Sequence, residues 1–96
     1  MKRLELAFDD DGVKVIDELK QLTGLRTNRE FFNNVITLFD WAVLQMMLGR
    51  SVVSLDDRKS DPKLLLMPSL QHAQRLNPDT RKKAISRRSE PTEIAA

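Results

Sequence analysis

Between Arg3 and Phe8 the apolar side chains occupy every second position, Leu4, Leu6 and Phe8, and three aspartates then stop the pattern. A period of two is that of a strand with one buried face. Such a strand cannot stand alone, because its backbone N–H and C=O groups require a ladder partner and an open edge invites association. The pattern that follows is helical, so the predicted fold class is mainly α with a short N-terminal β-strand. The chain has to explain where the strand finds its partner.

Length sharpens the problem. A chain of 96 residues buries proportionally little surface and commonly needs metal, disulfide or oligomer support. With no cysteine and His72 as the single histidine, disulfides and a tetrahedral zinc site are both unexpected. Dimerisation is the support that remains. No metal or cofactor is expected, and the absence of a nucleophile–base pair, phosphate loop or paired catalytic acids argues against an enzyme. No 20-residue apolar run or signal-peptide plan is present, which predicts a soluble, cytoplasmic chain with no membrane partner. The formal charge of +2 is unevenly spread: residues 1–59 hold nine Lys/Arg against ten Asp/Glu, and residues 60–96 hold seven against four. The positive surplus lies in the C-terminal third.

Asp9, Asp10 and Asp11 are candidate N-caps for a first helix, whose apolar stripe is Val15, Ile16, Leu19 and Leu22, with Asp17, Glu18, Lys20 and Gln21 turned mostly away. Three adjacent carboxylates also suggest a metal site, but capping is the simpler use. Gly24 follows as the helix terminator. Thr27 and Glu30 then form the T-x-x-E of a capping box, opening a second helix near Asn28 that runs to about Leu48 and closes at Gly49. Its apolar face, Phe31, Phe32, Val35, Leu38, Phe39, Ala42 and Met46, is widened by Ile36, Val43 and Met47 beyond what one short helix covers. Several side chains worth about 1.5–3 kcal/mol each when buried therefore lack a cover, a second argument for a dimer.

Beyond residue 50, SVVSL reads as a short extended piece and DDRKSD as a charged turn. Asp61-Pro62 reads as a cap followed by a proline at the first helical position, leading into a broken amphipathic helix with Leu66, Leu70 and Ala73 in line. From Asn77 onward prolines, serines and charges predict a disordered basic tail. The domains predicted are thus 1–50, an extension at 51–76 and the tail at 77–96.

Strand, helix, glycine turn and helix within about fifty residues resemble the ribbon-helix-helix family of DNA-binding repressors. The stretches that carry the resemblance are RLELAF, DDDG, VKVIDELKQLTG and, above all, TGLRTNREFF. The resemblance implies that two chains pair their N-terminal strands into an intermolecular two-stranded antiparallel β-ribbon over interlocked helices. Leu4, Leu6, Phe8, Phe31, Phe32, Val35 and Phe39 would form the core of that intertwined homodimer. The opposite row, Arg3, Glu5 and Ala7, would face the major groove of double-stranded DNA as the base readers. Lys2, Arg26, Thr27, Asn28 and Arg29 would contact phosphates, the last three at a helix N-terminus whose N–H groups and dipole favour an anion. Read as an ordinary capping box, the same segment would merely leave its arginines in solvent. The implied function is sequence-specific DNA binding by a homodimeric, nucleoid-associated transcriptional repressor, with tetramers on DNA as an extension.

The chain also departs from that pattern. Glu5 is repelled by phosphate and suits only a cytosine amino group, while Ala7 offers at most a methyl contact to thymine. Arg3 is then the principal base reader, with guanine its natural target. An alternative is an antitoxin or adaptor with weak or no DNA binding, whose 61–76 segment, PKLLLMPSLQHAQ and its flanks, binds a protein partner. The other uses of that segment and its neighbours stay open: a satellite helix packed on the dimer, and a basic run RKKAISRR that is either plain solvated tail or an arm on phosphates. Trp41 is covered either by the dimer or by residues beyond Gly49, or is an exposed anchor for a partner protein; Met46-Met47 reads as core filler rather than an adaptable binding surface, and His72 as a surface or tail residue.

Overall fold

The computed structural model describes residues 1–88 of the chain. It is mainly helical: α1 (Asp10–Thr23), α2 (Asn28–Met47), β1 (Val53–Ser54), β2 (Lys63–Leu64), α3 (Pro68–Gln74) and α4 (Pro78–Ser86). The chain divides into two compact units, residues 1–34 and the residues from Val35 onward.

The first unit is built on its caps. The Asp9 carboxylate accepts from the Gly12 N–H at 2.7 Å, satisfying one of the donors that every helix leaves unpaired at its start, while Asp10 and Asp11 place negative charge against the positive end of the dipole. Gly12 has a specific reason to lack a side chain. A Cβ there would stand 3.1 Å from the Asp9 carboxylate oxygen and 3.3 Å from the Phe8 Cβ, crowding both the cap and the incoming chain. Gly24 ends α1 at φ 74°, where an L side chain is strained, and its N–H bonds back to the Gln21 carbonyl. Thr27 then opens α2 as expected, its hydroxyl accepting from the Glu30 N–H at 3.1 Å. Apolar content holds the start of α2 in place: the Phe32 ring stacks on Phe8 at a centroid distance of 6.0 Å, and the buried Phe31 stands edge-on to Phe32.

No residue of α1 is buried. Of the predicted stripe, Ile16 is half-buried, whereas Val15, Leu19 and Leu22 are exposed. Lys20, expected to turn away, instead has a side chain only 19% exposed.

The second unit holds the core. Ala42, Leu44, Met46 and Met47 of α2 meet Leu70 and Ala73 of α3, with Trp41, Val43, Leu48, Val52, Leu76, Ala84 and Ile85 packed around them. Trp41 is covered by this cluster and the two methionines fill it. The run from Leu44 to Met47 is buried at every position, so this end of α2 is enclosed on all sides rather than along one stripe. The polar member, Gln45, is satisfied because its side-chain oxygen accepts from Arg50, whose backbone N–H also bonds to the Gln45 carbonyl. By contrast Val35, Ile36, Leu38 and Phe39 are exposed.

Residues 1–9 pair with no described residue of their own chain; the two-stranded antiparallel sheet pairs β1 with β2, Val53 opposite Leu64 and Ser54 opposite Lys63. Two expectations are corrected here. First, Asp61-Pro62 does not open a helix. Asp61 takes φ 51° in a turn held by Asp56, which accepts from the Ser60 N–H and hydroxyl, and β2 follows. The helix starts at the next proline, Pro68; of the three residues read as in line, Leu70 and Ala73 are buried and Leu66 is exposed. Second, the segment from Asn77 is not disordered up to residue 88. Asn77 caps α4 by accepting from the Thr80 N–H at 2.9 Å, and Pro78 sits at the first helical position, where its missing N–H costs nothing. The end of the predicted tail, residues 89–96, lies outside the described residues.

Candidate nucleic-acid interface

The candidate site belongs to the first unit. An open concavity of about 470 Å³ is lined by Leu4, Leu6 and Phe8 from the N-terminal segment, Val13, Ile16, Asp17 and Lys20 from α1, and Asn28, Arg29 and Phe32 from α2. The alternation read from the sequence therefore has a structural counterpart. One row of the N-terminal segment lines the concavity, and the intervening residues, Arg3, Glu5 and Ala7, are exposed and absent from that lining. Even so, Leu4 remains 83% exposed, Leu6 57% and Phe8 48%, so the concavity alone does not bury the row.

The start of α2 is the electrostatic part of the site. Helix geometry leaves the first backbone N–H groups without intrahelical acceptors, and the dipole adds partial positive charge. Arg26 and Arg29 flank that start in exposed positions. Lys20 adds a third cation, its ammonium donating to the Asn28 side-chain oxygen at 2.9 Å and standing 3.9 Å from Asp17. That contact ties the end of α1 to the first residue of α2 across the Gly24 turn. It also fixes the role open to Asn28, whose oxygen is engaged and whose NH₂ and backbone N–H remain the groups able to face an anion.

Thr27 accepts the Glu30 N–H at its hydroxyl oxygen, which positions the turn and leaves the O–H as a donor. The structure thus brings Asn28, Arg29 and the Leu4, Leu6, Phe8 row to one concavity. Lys2, Arg3, Glu5 and Ala7 lie on exposed N-terminal backbone. Of the residues assigned to the dimer core, Phe31 is buried, Phe32 is half-buried, and Val35 and Phe39 are exposed in the second unit.

No protein-family profile, curated protein or solved structure matches the chain. The site therefore rests on its own chemistry. Lys20 is the residue that sequence reasoning missed, since a lysine on the polar side of an amphipathic helix carries no signal of a contact eight residues away. The nearest hint was its place one turn before Gly24, where the chain reverses toward Asn28.

The C-terminal extension presents a different surface. Register places Val53 and Leu64 opposite each other, and Leu55 and Leu66 continue that exposed apolar row. Val52, one residue out of phase, packs on the core, and its carbonyl accepts from the Leu65 N–H at 2.9 Å. His72 is exposed on α3.

Proposed function

We propose that the protein is a homodimeric ribbon-helix-helix DNA-binding repressor, in which two N-terminal segments pair as an antiparallel ribbon that enters the major groove. The observation that carries this reading is the sorting of the N-terminal row: Leu4, Leu6 and Phe8 line a concavity of mixed apolar and charged lining, Arg3, Glu5 and Ala7 are exposed outside that lining, and the segment has no ladder partner among the described residues. A second copy supplies both the ladder and the missing cover. Apolar side chains are left open in each unit, Val15, Leu19 and Leu22 in the first and Val35, Ile36, Leu38 and Phe39 in the second. Phosphate contacts come from Lys2, Arg26 and the start of α2 at Thr27, Asn28 and Arg29, with Lys20 orienting Asn28.

The test is binding to duplex DNA from the chain's own upstream region, measured by fluorescence anisotropy at two salt concentrations. Affinity is expected to fall with salt, Arg3→Ala to lower the preference for the upstream sequence over random duplex by roughly 5–150-fold, equivalent to about 1–3 kcal/mol for a bidentate base contact, and Arg29→Ala to weaken both duplexes alike. Absence of salt-sensitive binding overturns the reading.

A second reading, an antitoxin or adaptor, is supported by the exposed row of Val53, Leu55, Leu64 and Leu66. Within the 61–76 segment, the residues open to a partner on this reading are Leu64 and Leu66 rather than Leu70 of α3, which is only 1% exposed. Coexpression with the product of an adjacent gene, followed by limited proteolysis, tests it: protection of residues 61–67 only in the pair supports it, and unchanged cleavage overturns it.

A further inference from the structure

The helix α4 sorts its side chains in a way that the composition of the C-terminal third conceals. Arg81, Ala84, Ile85 and Arg88 are half-buried, and they recur at the three- and four-residue spacing of one helix face. Ala84 and Ile85 pack on the core cluster. The arginines of that face are committed: Arg81 donates to the Leu76 carbonyl at 2.8 Å, and Arg88 donates to the Ala84 carbonyl at 2.7 Å and pairs with Asp40 of α2 at 3.0 Å. The opposite face carries Asp79, Lys82, Lys83, Ser86 and Arg87, all exposed. The fold thus uses two of the five cations of this stretch for anchoring and presents Lys82 and Lys83 on α4 with Arg87 at its C-cap.

We propose that this face of α4 is a second phosphate-binding surface, contacting the backbone of duplex DNA independently of base sequence; the inference rests on the DNA-binding reading above. Two features favour a nucleic-acid backbone over an acidic membrane. Lys83 and Arg87 stand one turn apart on an ordered helix and its C-cap, so their backbone need not order when they meet a regular row of phosphates. The apolar side chains of α4 are already packed against the core, which leaves no apolar face to insert between lipid headgroups.

The experiment compares the full chain with the triple variant Lys82→Gln, Lys83→Gln, Arg87→Gln and with Arg3→Ala. Binding to a random-sequence duplex and to the upstream duplex is followed from low to physiological salt, and flotation with phosphatidylserine vesicles serves as the membrane arm. Each neutralised phosphate contributes about 0.9 to the slope of log affinity against log salt, so the triple variant is expected to lower the slope by about 2–3 per chain on both duplexes and keep the preference between them. A matching circular dichroism melt shows that the variant folds, and Arg81 and Arg88 are left intact for that purpose. An unchanged slope in a folded triple variant overturns the proposal, as does binding of the wild type to vesicles that the triple variant loses while DNA binding stays the same. If Arg3→Ala retains full sequence preference while the triple variant loses affinity, the α4 surface stands and the ribbon reading falls. The reverse pattern leaves the ribbon and removes the α4 surface, and a wild type that binds neither duplex removes both.

Discussion

Thr27 shows how much one hydroxyl decides. Its bond to the Glu30 N–H starts α2 at Asn28 and so sets where the first-turn N–H groups stand. Thr27→Ala is expected to lower stability by about 1 kcal/mol in urea denaturation, the usual cost of a lost cap, and to weaken binding to specific and random duplexes equally. The fold alters the titration of Asp56. Hydrogen bonds from the Ser60 hydroxyl and then the Ser60 backbone N–H hold its carboxyl below the ordinary aspartate range, opposed by desolvation and aided least by the Arg58 N–H. A depressed folded-state value means that the ionised form stabilises the turn. That contribution is present above the ordinary aspartate range and is lost as pH falls through the folded value. An NMR titration should place the Asp56 midpoint below the ordinary aspartate value, and Ser60→Ala should raise it toward that value. A midpoint unmoved by Ser60→Ala would show that the hydroxyl is not the cause.

At the scale of elements, α3 and α4 depend on side chains delivered from α2. Leu70 is the most deeply buried of the described residues, and the seven residues of α3 are too few to persist as an isolated helix. Leu70→Ala is expected to cost about 2–5 kcal/mol, because a buried leucine leaves a cavity that its neighbours fill only in part. Hydrogen exchange should show the loss first in α3 and α4. Equal protection there in wild type and variant would contradict the packing described. The Asp40–Arg88 pair adds little to this, since partly exposed ion pairs are worth about 0–1 kcal/mol.

For the whole molecule, the decisive quantity is the apolar surface that one chain leaves uncovered. Phe39 is 43% exposed on α2, beside Val35, Ile36 and Leu38. If a second copy covers this row, wild type sediments at twice the chain mass, and Phe39→Glu shifts it to the monomer and weakens DNA binding at least tenfold, because folding, pairing and binding are linked by mass action. A Phe39→Glu protein with unchanged mass and affinity would place Phe39 outside the dimer core.

Much of the architecture is local and was therefore readable from the residues alone: the Asp9 cap, the glycine stop at Gly24, the threonine start of α2 and the extended piece at Val53–Ser54. Each depends on groups within a few positions of one another. Helical spacing also reports which side chains share a face but not whether that face is covered: Met46 and Met47, read as core filler, are buried, whereas Val35 and Phe39 of the same apolar face are exposed. Three features were decided by partners further along the chain. Pro62 and Pro68 offer the same helix-start chemistry, and the ladder with β1 assigned 63–64 to a strand and left the start to Pro68. Asn77 and Pro78 looked like the opening of a disordered tail until Ala84, Ile85 and Arg88 found the core and Asp40. Lys20 looked solvated until the turn brought Asn28 to it. The N-terminal alternation showed which residues share a side, but a ladder joins two segments, and residues 1–9 find no second among the described residues of one chain.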